Sequence, residues 1–315
     1  MTKYILGGGI AGLISKYFNP EYKLISPDLG GQLNKETVMT TFYLHSSPFI
    51  IKLLNELKIR WCVKKIPIFY LHKNNICESV DAVTMQKIIH HKITEFDSDE
   101  SMSNISSNDM KLCTSQNYME VLNIDMQHFM SKLMSSKKDI INGKVKLINT
   151  QKKFIMVDNG KTLVKLHYEK LISTIPAPDF FRMCYTLETD YHFNYLPAVY
   201  IFSSQKPSFW DEDGIYYIHD NNIIYNRVQK YNNGYIYEIT GIPDNHTIKK
   251  HIKDIINKEI RYVGILKYND TTSEIEDLKN IKFIGRMATW NHNFWVESII
   301  EKAKEVHNNE QNKKE

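Results

Sequence analysis

Arginine is nearly absent. Of 40 basic residues only Arg60, Arg182, Arg227, Arg261 and Arg286 are Arg, and the rest are Lys. Each Arg is therefore a candidate for a place where a planar, bidentate cation is needed and a point charge will not serve. Cysteine is sparse too. Cys62, Cys77, Cys113 and Cys184 form no CxxC pair, which excludes a zinc knuckle or a vicinal redox dithiol and leaves reduced thiols as the expectation. His90, His91 and His292 lack metal-ligand spacing, so no metal is expected. No apolar run approaches the roughly 20 residues of a membrane-spanning helix. No long block of one charge sign occurs, and 40 basic against 36 acidic residues leave a net charge of +4. That balance indicates neither a membrane nor a nucleic-acid partner. MTKYILGGG enters a strand at once, with no secretory leader ahead of it. A soluble, cytoplasmic protein is expected.

Glycine is also scarce, at 13 of 315 residues, so where it clusters is informative. KYIL (3–6) reads as a buried strand, Ile10 to Phe18 as a helix ended by Asn19-Pro20, and YKLIS (22–26) as a second strand. A strand, glycine turn, helix and strand within thirty residues form a βαβ unit with a parallel sheet. A helix is expected over PFIIKLLNEL (48–57), and strands from Trp61 to Ile76 with a turn at Asn74-Asn75. Ala82 to Glu95 and Met119 to Met134 read as amphipathic helices, separated by the polar loop FDSDESMSNISSND. KVKLIN, the hairpin KFIMVDNGKTLVKL with its Asn159-Gly160 turn, and KLISTI read as strands. The Tyr- and Ile-rich stretch 195–240 suggests an antiparallel sheet. A helix at about 246–258 and a strand pair follow. KFIG (282–285), a loop, a helix from about Phe294 to Val306 and the solvated tail HNNEQNKKE close the chain.

GGGIAG places Gly7, Gly9 and Gly12 in GxGxxG spacing between strand and helix. Gly7 permits the tight turn, Gly9 lets backbone approach a pyrophosphate, and Gly12 lets helix and sheet pack closely. Ile10 and Ala11 then present N–H groups of the first helical turn to the diphosphate. The carboxylate that usually ends the second strand and accepts the ribose hydroxyls is missing. Ser26 stands there, with Asp28 two residues later, so Ser26, Asp28 or water must take its role. The turn by itself leaves NAD and FAD open.

Three separated stretches resemble the flavoprotein group that contains UDP-galactopyranose mutase, protoporphyrinogen oxidase and the flavin amine oxidases. SPDLGGQLN, with Gly30, Gly31 and Gln32, resembles the Gly-Gly signature after the second strand. YEKLISTIPAPDFF (168–181) is similar to the strand that returns to the cofactor domain. FIGRMATWNHNFWVESIIEKA (283–303) resembles the C-terminal flavin segment and its helix. The resemblance implies non-covalent FAD. Gly285 would let backbone approach the cofactor, Arg286 would face the diphosphate, and the helix start around Trp295 and Val296 would aim N–H groups at the flavin.

The resemblance also implies the organisation of the chain: an α/β fold with an FAD-binding Rossmann-like domain and inserted helical and antiparallel-sheet substrate segments. The FAD-binding parts would be 1–58, 140–178 and 278–306. The mostly helical insertion would be 59–139, the substrate sheet 179–277, and the tail 307–315. IIYNRVQ (223–229) resembles the strand that carries an Arg toward the substrate cavity, which makes Arg227 and Tyr225 substrate-binding candidates. An exposed strand Arg is the alternative. His45 in FYLHSSP lies where the sugar mutases carry a His-rich segment and is a third substrate-binding candidate, with a structural role as the alternative, since Thr40-Thr41-Phe42 replaces the flavin-proximal part. The function implied is an FAD-dependent oxidoreductase taking hydride from a small or nucleotide-like substrate. A redox-neutral mutase or lyase and an FAD-binding protein without catalysis are the alternatives.

Overall fold

The computed structural model describes residues 2–31, 43–72, 75–77, 118–134, 139–184, 193–194, 197–262, 267–268, 275–291 and 294–312. The expected helix at 82–95, the polar loop after it, Gln32, Asn74, Thr40 to Phe42, His90, His91 and His292 lie outside the described residues. In chain order the elements begin with β1 (Thr2–Leu6), α1 (Ile10–Phe18), β2 (Lys23–Ser26), β3 (Leu44–His45) and α2 (Pro48–Glu56). Then come β4 (Trp61–His72), β5 (Asn75–Cys77), β6 (Tyr118–Ile124), α3 (Met126–Leu133), β7 (Ile140–Asn142) and β8 (Lys144–Asn149). Next are β9 (Phe154–Asp158), β10 (Leu163–Ser173), α4 (Ala177–Met183), β11 (Phe193–Asn194), β12 (Pro197–Ser203) and β13 (Ile215–His219). The chain closes with β14 (Arg227–Tyr231), β15 (Gly234–Thr240), α5 (Asn245–His251), β16 (Ile255–Tyr262), β17 (Lys267–Tyr268), β18 (Ile281–Phe283), α6 (Arg286–Thr289) and α7 (Val296–Gln311).

These elements divide into two compact units, Met1–Val63 with Leu122–Asn194 and Lys267–Glu315, and Lys64–Val121 with Tyr195–Leu266. The expected fold class holds: a Rossmann-like parallel sheet in the first unit and, in the second, a sheet that is antiparallel except where β4 and β13 run parallel.

In the first unit β7, β2, β1, β10 and β18 run parallel in that order. Their buried hydrophobic runs suit a sheet covered on both faces. The C-terminal ends of β1, β2, β10 and β18 share one edge, where open α/β sheets bind ligands. β10 is long enough to do two jobs. Its second half pairs with β1 and β18, and its first half continues into an antiparallel meander with β9 and β8. The β9–β10 hairpin turns at Asn159-Gly160 as expected, with the Asn159 side chain accepting from the N–H groups of Lys161 and Thr162.

Helices α1, α2, α3 and α7 cover the sheet around one core that includes Leu13, Ile14, Ile50, Leu53, Leu54, Phe129, Ile299, Ile300, Ala303 and Val306. The α7 members recur at helical spacing, and each large aliphatic contributes about 1.5–3 kcal/mol on burial. Asn19, which ends α1, donates from its side chain to the carbonyls of Ser15 (3.1 Å) and Ala303 (3.0 Å), tying the first helix to the last. A separate aromatic cluster joins Phe180, Phe181, Phe283, Phe193 and Trp290.

The second unit is built on a sheet ordered β16-β12-β15-β14-β13-β4, with β5 and β6 also on β4. Period-2 alternation sends Leu71, Val199, Ile201, Tyr216, Ile218, Val228, Tyr237 and Ile239 into one core.

Three sequence expectations are corrected. Met119 to Met134 is not one helix: Tyr118–Ile124 is strand β6, and the helix begins only after Asp125, whose carboxylate caps it by accepting from the His128 N–H at 3.0 Å. Sheet pairing beside β4 overrides the helical periodicity there. The helix expected to reach residue 258 stops at His251, because Asp254 turns the backbone to φ 49° and the Ile255-Ile256 run enters β16. The solvated tail begins later than Val306. Helix α7 continues to Gln311 because Glu310 is buried and ion-paired with both Lys3 and Lys170.

Candidate functional site

The site grows from the turn between β1 and α1. Gly7 has φ +103°, and a Cβ there would lie 2.5 Å from the Thr174 hydroxyl. That hydroxyl donates to the Leu6 carbonyl at 2.8 Å, and the Thr174 N–H donates to the same oxygen at 2.9 Å. A Cβ on Gly12 would lie 1.9 Å from the Gly7 carbonyl oxygen, so the helix seats directly on the turn. Thr174 follows β10 and was not singled out from the sequence; the small polar residue after the buried run LIS is the one signal it leaves.

Gly9 differs from its neighbours. Among the described residues, a Cβ built on it meets nothing within 4 Å. It is the N-cap of α1 with no side-chain cap, and the first helical hydrogen bond runs from the Leu13 N–H to the Gly9 carbonyl at 3.0 Å. The N–H groups of Ile10, Ala11 and Gly12 therefore precede the helix's own acceptors. The helix also brings the positive end of its dipole there.

Around this opening the chain returns twice. The Gly30 N–H donates to the Gly8 carbonyl at 2.8 Å, and a Cβ on Gly31 would stand 2.9 Å from the Gly9 Cα. From the other end of the sequence, Gly285 adopts φ +105°, and a Cβ there would stand 2.8 Å from the Cβ of Ala11. Gly285 is the N-cap of the short helix α6, and its carbonyl accepts from the N–H groups of Ala288 and Thr289. Arg286 is half-buried, with its guanidinium carbon 5.9 Å from the centre of the Trp295 ring. Trp295 is the N-cap of α7, one residue before Val296, and the His45 ring meets it edge-on at 5.4 Å. The first unit thus gathers Gly7 to Gly12, Ser26, Asp28, Gly30, Gly31, Gly285, Arg286, Trp295, Val296 and His45.

Ser26 is buried at the end of β2 and donates its hydroxyl to the Asp28 carbonyl. It is occupied with the turn's own backbone. Asp28 is exposed, so it holds the one carboxylate of this turn that faces solvent.

Arg227 and Tyr225 belong to the second unit. Arg227 is not an exposed strand Arg. Its side chain is only 20% exposed and forms an ion pair with Glu238, its cross-strand partner on β15. Burial works against the charged guanidinium, but the Glu238 carboxylate, with Tyr217 and Tyr200, outweighs it and holds the group charged. Registers place Tyr70, Tyr217, Arg227, Glu238 and Tyr200 in one row across β4, β13, β14, β15 and β12. The Tyr70 and Tyr217 rings stack at 5.8 Å. Glu238 was missed in the sequence, although an acid inside the alternating run GYIYEIT marks it. Tyr225 lies instead in the hydrophobic core, edge-on to Tyr237 at 4.9 Å, with burial pushing its hydroxyl up to about 12. A packing role accounts for it.

No family model and no curated protein matches the sequence. Solved structures match the fold along nearly the whole chain. A fatty acid isomerase from P. acnes that produces CLA shares 9% identity at TM-score 0.66, with 98% of each chain covered. A reduced UDP-galactopyranose mutase shares 10% identity at TM-score 0.62, covering 99% of this chain and 94% of that one. The cyclohexylamine oxidase of Brevibacterium oxydans IH-35A shares 10% identity at TM-score 0.58, with 99% of each covered. The likeness read from three stretches of sequence thus extends to the whole fold. The fold is the one shared by the amine oxidases and UDP-galactopyranose mutase.

Proposed function

We propose that this chain binds FAD non-covalently at the C-terminal edge of its parallel sheet and acts as an FAD-dependent oxidoreductase. The observation that carries the reading is the meeting of Gly285 with Ala11. The C-terminal Gly-Arg segment closes on the first turn of the helix after the glycine turn, and a plain dinucleotide-binding unit has no use for that contact. The open space at Gly9 and the N–H groups of Ile10, Ala11 and Gly12 fit a pyrophosphate. Arg286 adds a cation beside it, and Asp28 supplies the carboxylate for ribose that Ser26 cannot. Trp295 and Val296 bring the start of α7 to the same place. Gln32 belongs to this set by sequence.

Bound FAD would supply a hydride acceptor, and the protein binding, orientation and electrostatics. On the substrate side the Arg227–Glu238 pair is the candidate anchor for a small or nucleotide-like molecule. Glu238 neutralises Arg227, so a substrate anion would have to share the guanidinium with it. His45 is held by Trp295 and takes a positioning role.

The same fold in an isomerase and a mutase favours a second reading, redox-neutral chemistry on reduced flavin. The visible spectrum of purified protein tests both. A flavin band bleached by substrate without added reductant supports the oxidoreductase. Turnover only after dithionite reduction supports the mutase or lyase, and a colourless protein that takes up no FAD overturns both.

A further inference from the structure

The first unit carries a second surface that the flavin site does not use. Lys144 to Lys170 contains seven lysines against Asp158 and Glu169, a net +5, whereas the whole chain is +4, so all of the excess positive charge sits in this segment. The segment folds as the β8–β9–β10 meander, with Lys144 opposite Asp158, Asp158 opposite Leu163, Met156 opposite Lys165 and Phe154 opposite His167. One face sends Val145, Ile148, Ile155 and Val157 inward. The other shows Lys144, Lys146, Lys165 and His167 to solvent, and Lys152 and Lys161 extend the row at the two turns. On this face Phe154 is half-buried, with the Lys165 ammonium 4.2 Å from its ring centre and the His167 ring 6.0 Å away.

Two of these lysines are committed: Lys170 to Glu310, and Lys146 to Asp158 at 3.5 Å. Among the described residues Lys144, Lys152, Lys161 and Lys165 join no ion pair. Folding gains nothing from aligning like charges on one sheet face, and a polyanion would relieve their repulsion.

We propose that this face binds the sugar–phosphate backbone of a single-stranded nucleic acid. Lysines on flexible stems along the strands can follow successive phosphates, and the rings of Phe154 and His167 offer a place for a base to stack. The lysines are spread over three adjacent strands and their turns, which suits an extended chain better than a compact anion. An anionic membrane fits less well. Leu163 and Val164, at 57% and 37% exposed, are the large apolar groups of the meander that face water, too little area to insert into lipid.

The test is fluorescence anisotropy with a labelled oligothymidine of about 20 nucleotides at about 50 mM salt, then at rising salt. Wild type should bind with a log–log salt slope of about −3, four phosphate contacts at ~0.7 each. Lys144→Glu/Lys161→Glu/Lys165→Glu, three of the four uncommitted lysines, should weaken binding by at least about tenfold and flatten the slope. Its charge-neutral counterpart, with Gln at the same positions, should fall between them. Lys249→Glu/Lys250→Glu/Lys253→Glu, the same charge change in the second unit, should bind as wild type does. Melting curves of all variants confirm folding independently of any flavin. The proposal is overturned if wild type does not bind, if the meander variants bind as wild type does, or if the control variant loses as much affinity. Capture by phosphatidylserine vesicles without oligonucleotide binding overturns it in favour of a membrane.

Discussion

The hydroxyl of Thr174 stands where a side chain on Gly7 would have to go, 2.5 Å from the place a Cβ on that glycine would take. Gly9, two residues on, has no atom of the described residues within 4 Å of the equivalent place. The two glycines of one turn therefore have different physical reasons to be glycine. Gly7 is constrained by the protein, whereas no described residue constrains a side chain at Gly9.

Gly7→Ala should destabilise the folded protein with or without flavin. Strain at φ +103° and the collision with Thr174 add, for a cost of about 1–3 kcal/mol or more. Thermal melting of apo-protein checks it, and Thr174→Gly in the same chain should restore part of the loss.

Gly9→Val should behave in the opposite way. The apo-protein should melt within about a degree or two of wild type, since the new side chain meets no atom of the described residues within 4 Å at its Cβ. FAD retention, read from the ratio of flavin to protein absorbance, should be abolished. Full occupancy in this variant would remove the pyrophosphate from the α1 N-terminus.

Arg286→Ala should weaken FAD binding by roughly 1.5–3 kcal/mol, the range for a hydrogen bond to a charged group. Titration of apo-protein with FAD measures it. An unchanged affinity would assign Arg286 a structural role, its stacking on Trp295 included.

Glu310 should make stability depend on acid. Burial pushes its carboxyl up, but hydrogen bonds from Lys170 and Lys3 outweigh that and hold it below the ordinary Glu value of 4.5. A carboxylate with a lowered folded value contributes stability that is present above the unfolded value and is lost as pH falls through the folded one. Glu310→Gln should lower the melting temperature near neutral pH and flatten its fall below about pH 4.5. An unchanged acid slope would assign that fall to other carboxylates.

Arg227→Lys keeps the charge but loses the planar fork, so it should impair substrate affinity while FAD content stays normal. Glu238→Gln should destabilise the second unit by leaving Arg227 mostly buried without its counter-charge, at a cost of about 3 kcal/mol. Loss of flavin in the Arg227 variant with normal substrate affinity after reconstitution would move Arg227 out of the substrate's reach.

What the sequence determined by itself is what neighbouring residues can enforce. The glycine turn needs only a buried strand before it and a helix after it, and both are written within the first twenty residues. The Asn159-Gly160 hairpin and the alternating strands of the second unit are likewise set by turn chemistry and a period of two. Where local signals competed, tertiary pairing decided. Tyr118–Ile124 carries a helical periodicity yet is a strand, and Asp125 starts the helix that follows. The tail became helix because Glu310 meets Lys3 of β1 and Lys170 of β10, which parallel pairing sets side by side. Arg227 was visible as a rare residue, but its neutralisation by Glu238 depends on the β14–β15 register. Likewise the approach of Gly285 to Ala11 is encoded by neither segment alone. It exists because β18 pairs in parallel with β10, β10 pairs with β1, and the ends of all three strands come to one edge. Such contacts join residues far apart in the chain through register and packing, which no local pattern specifies.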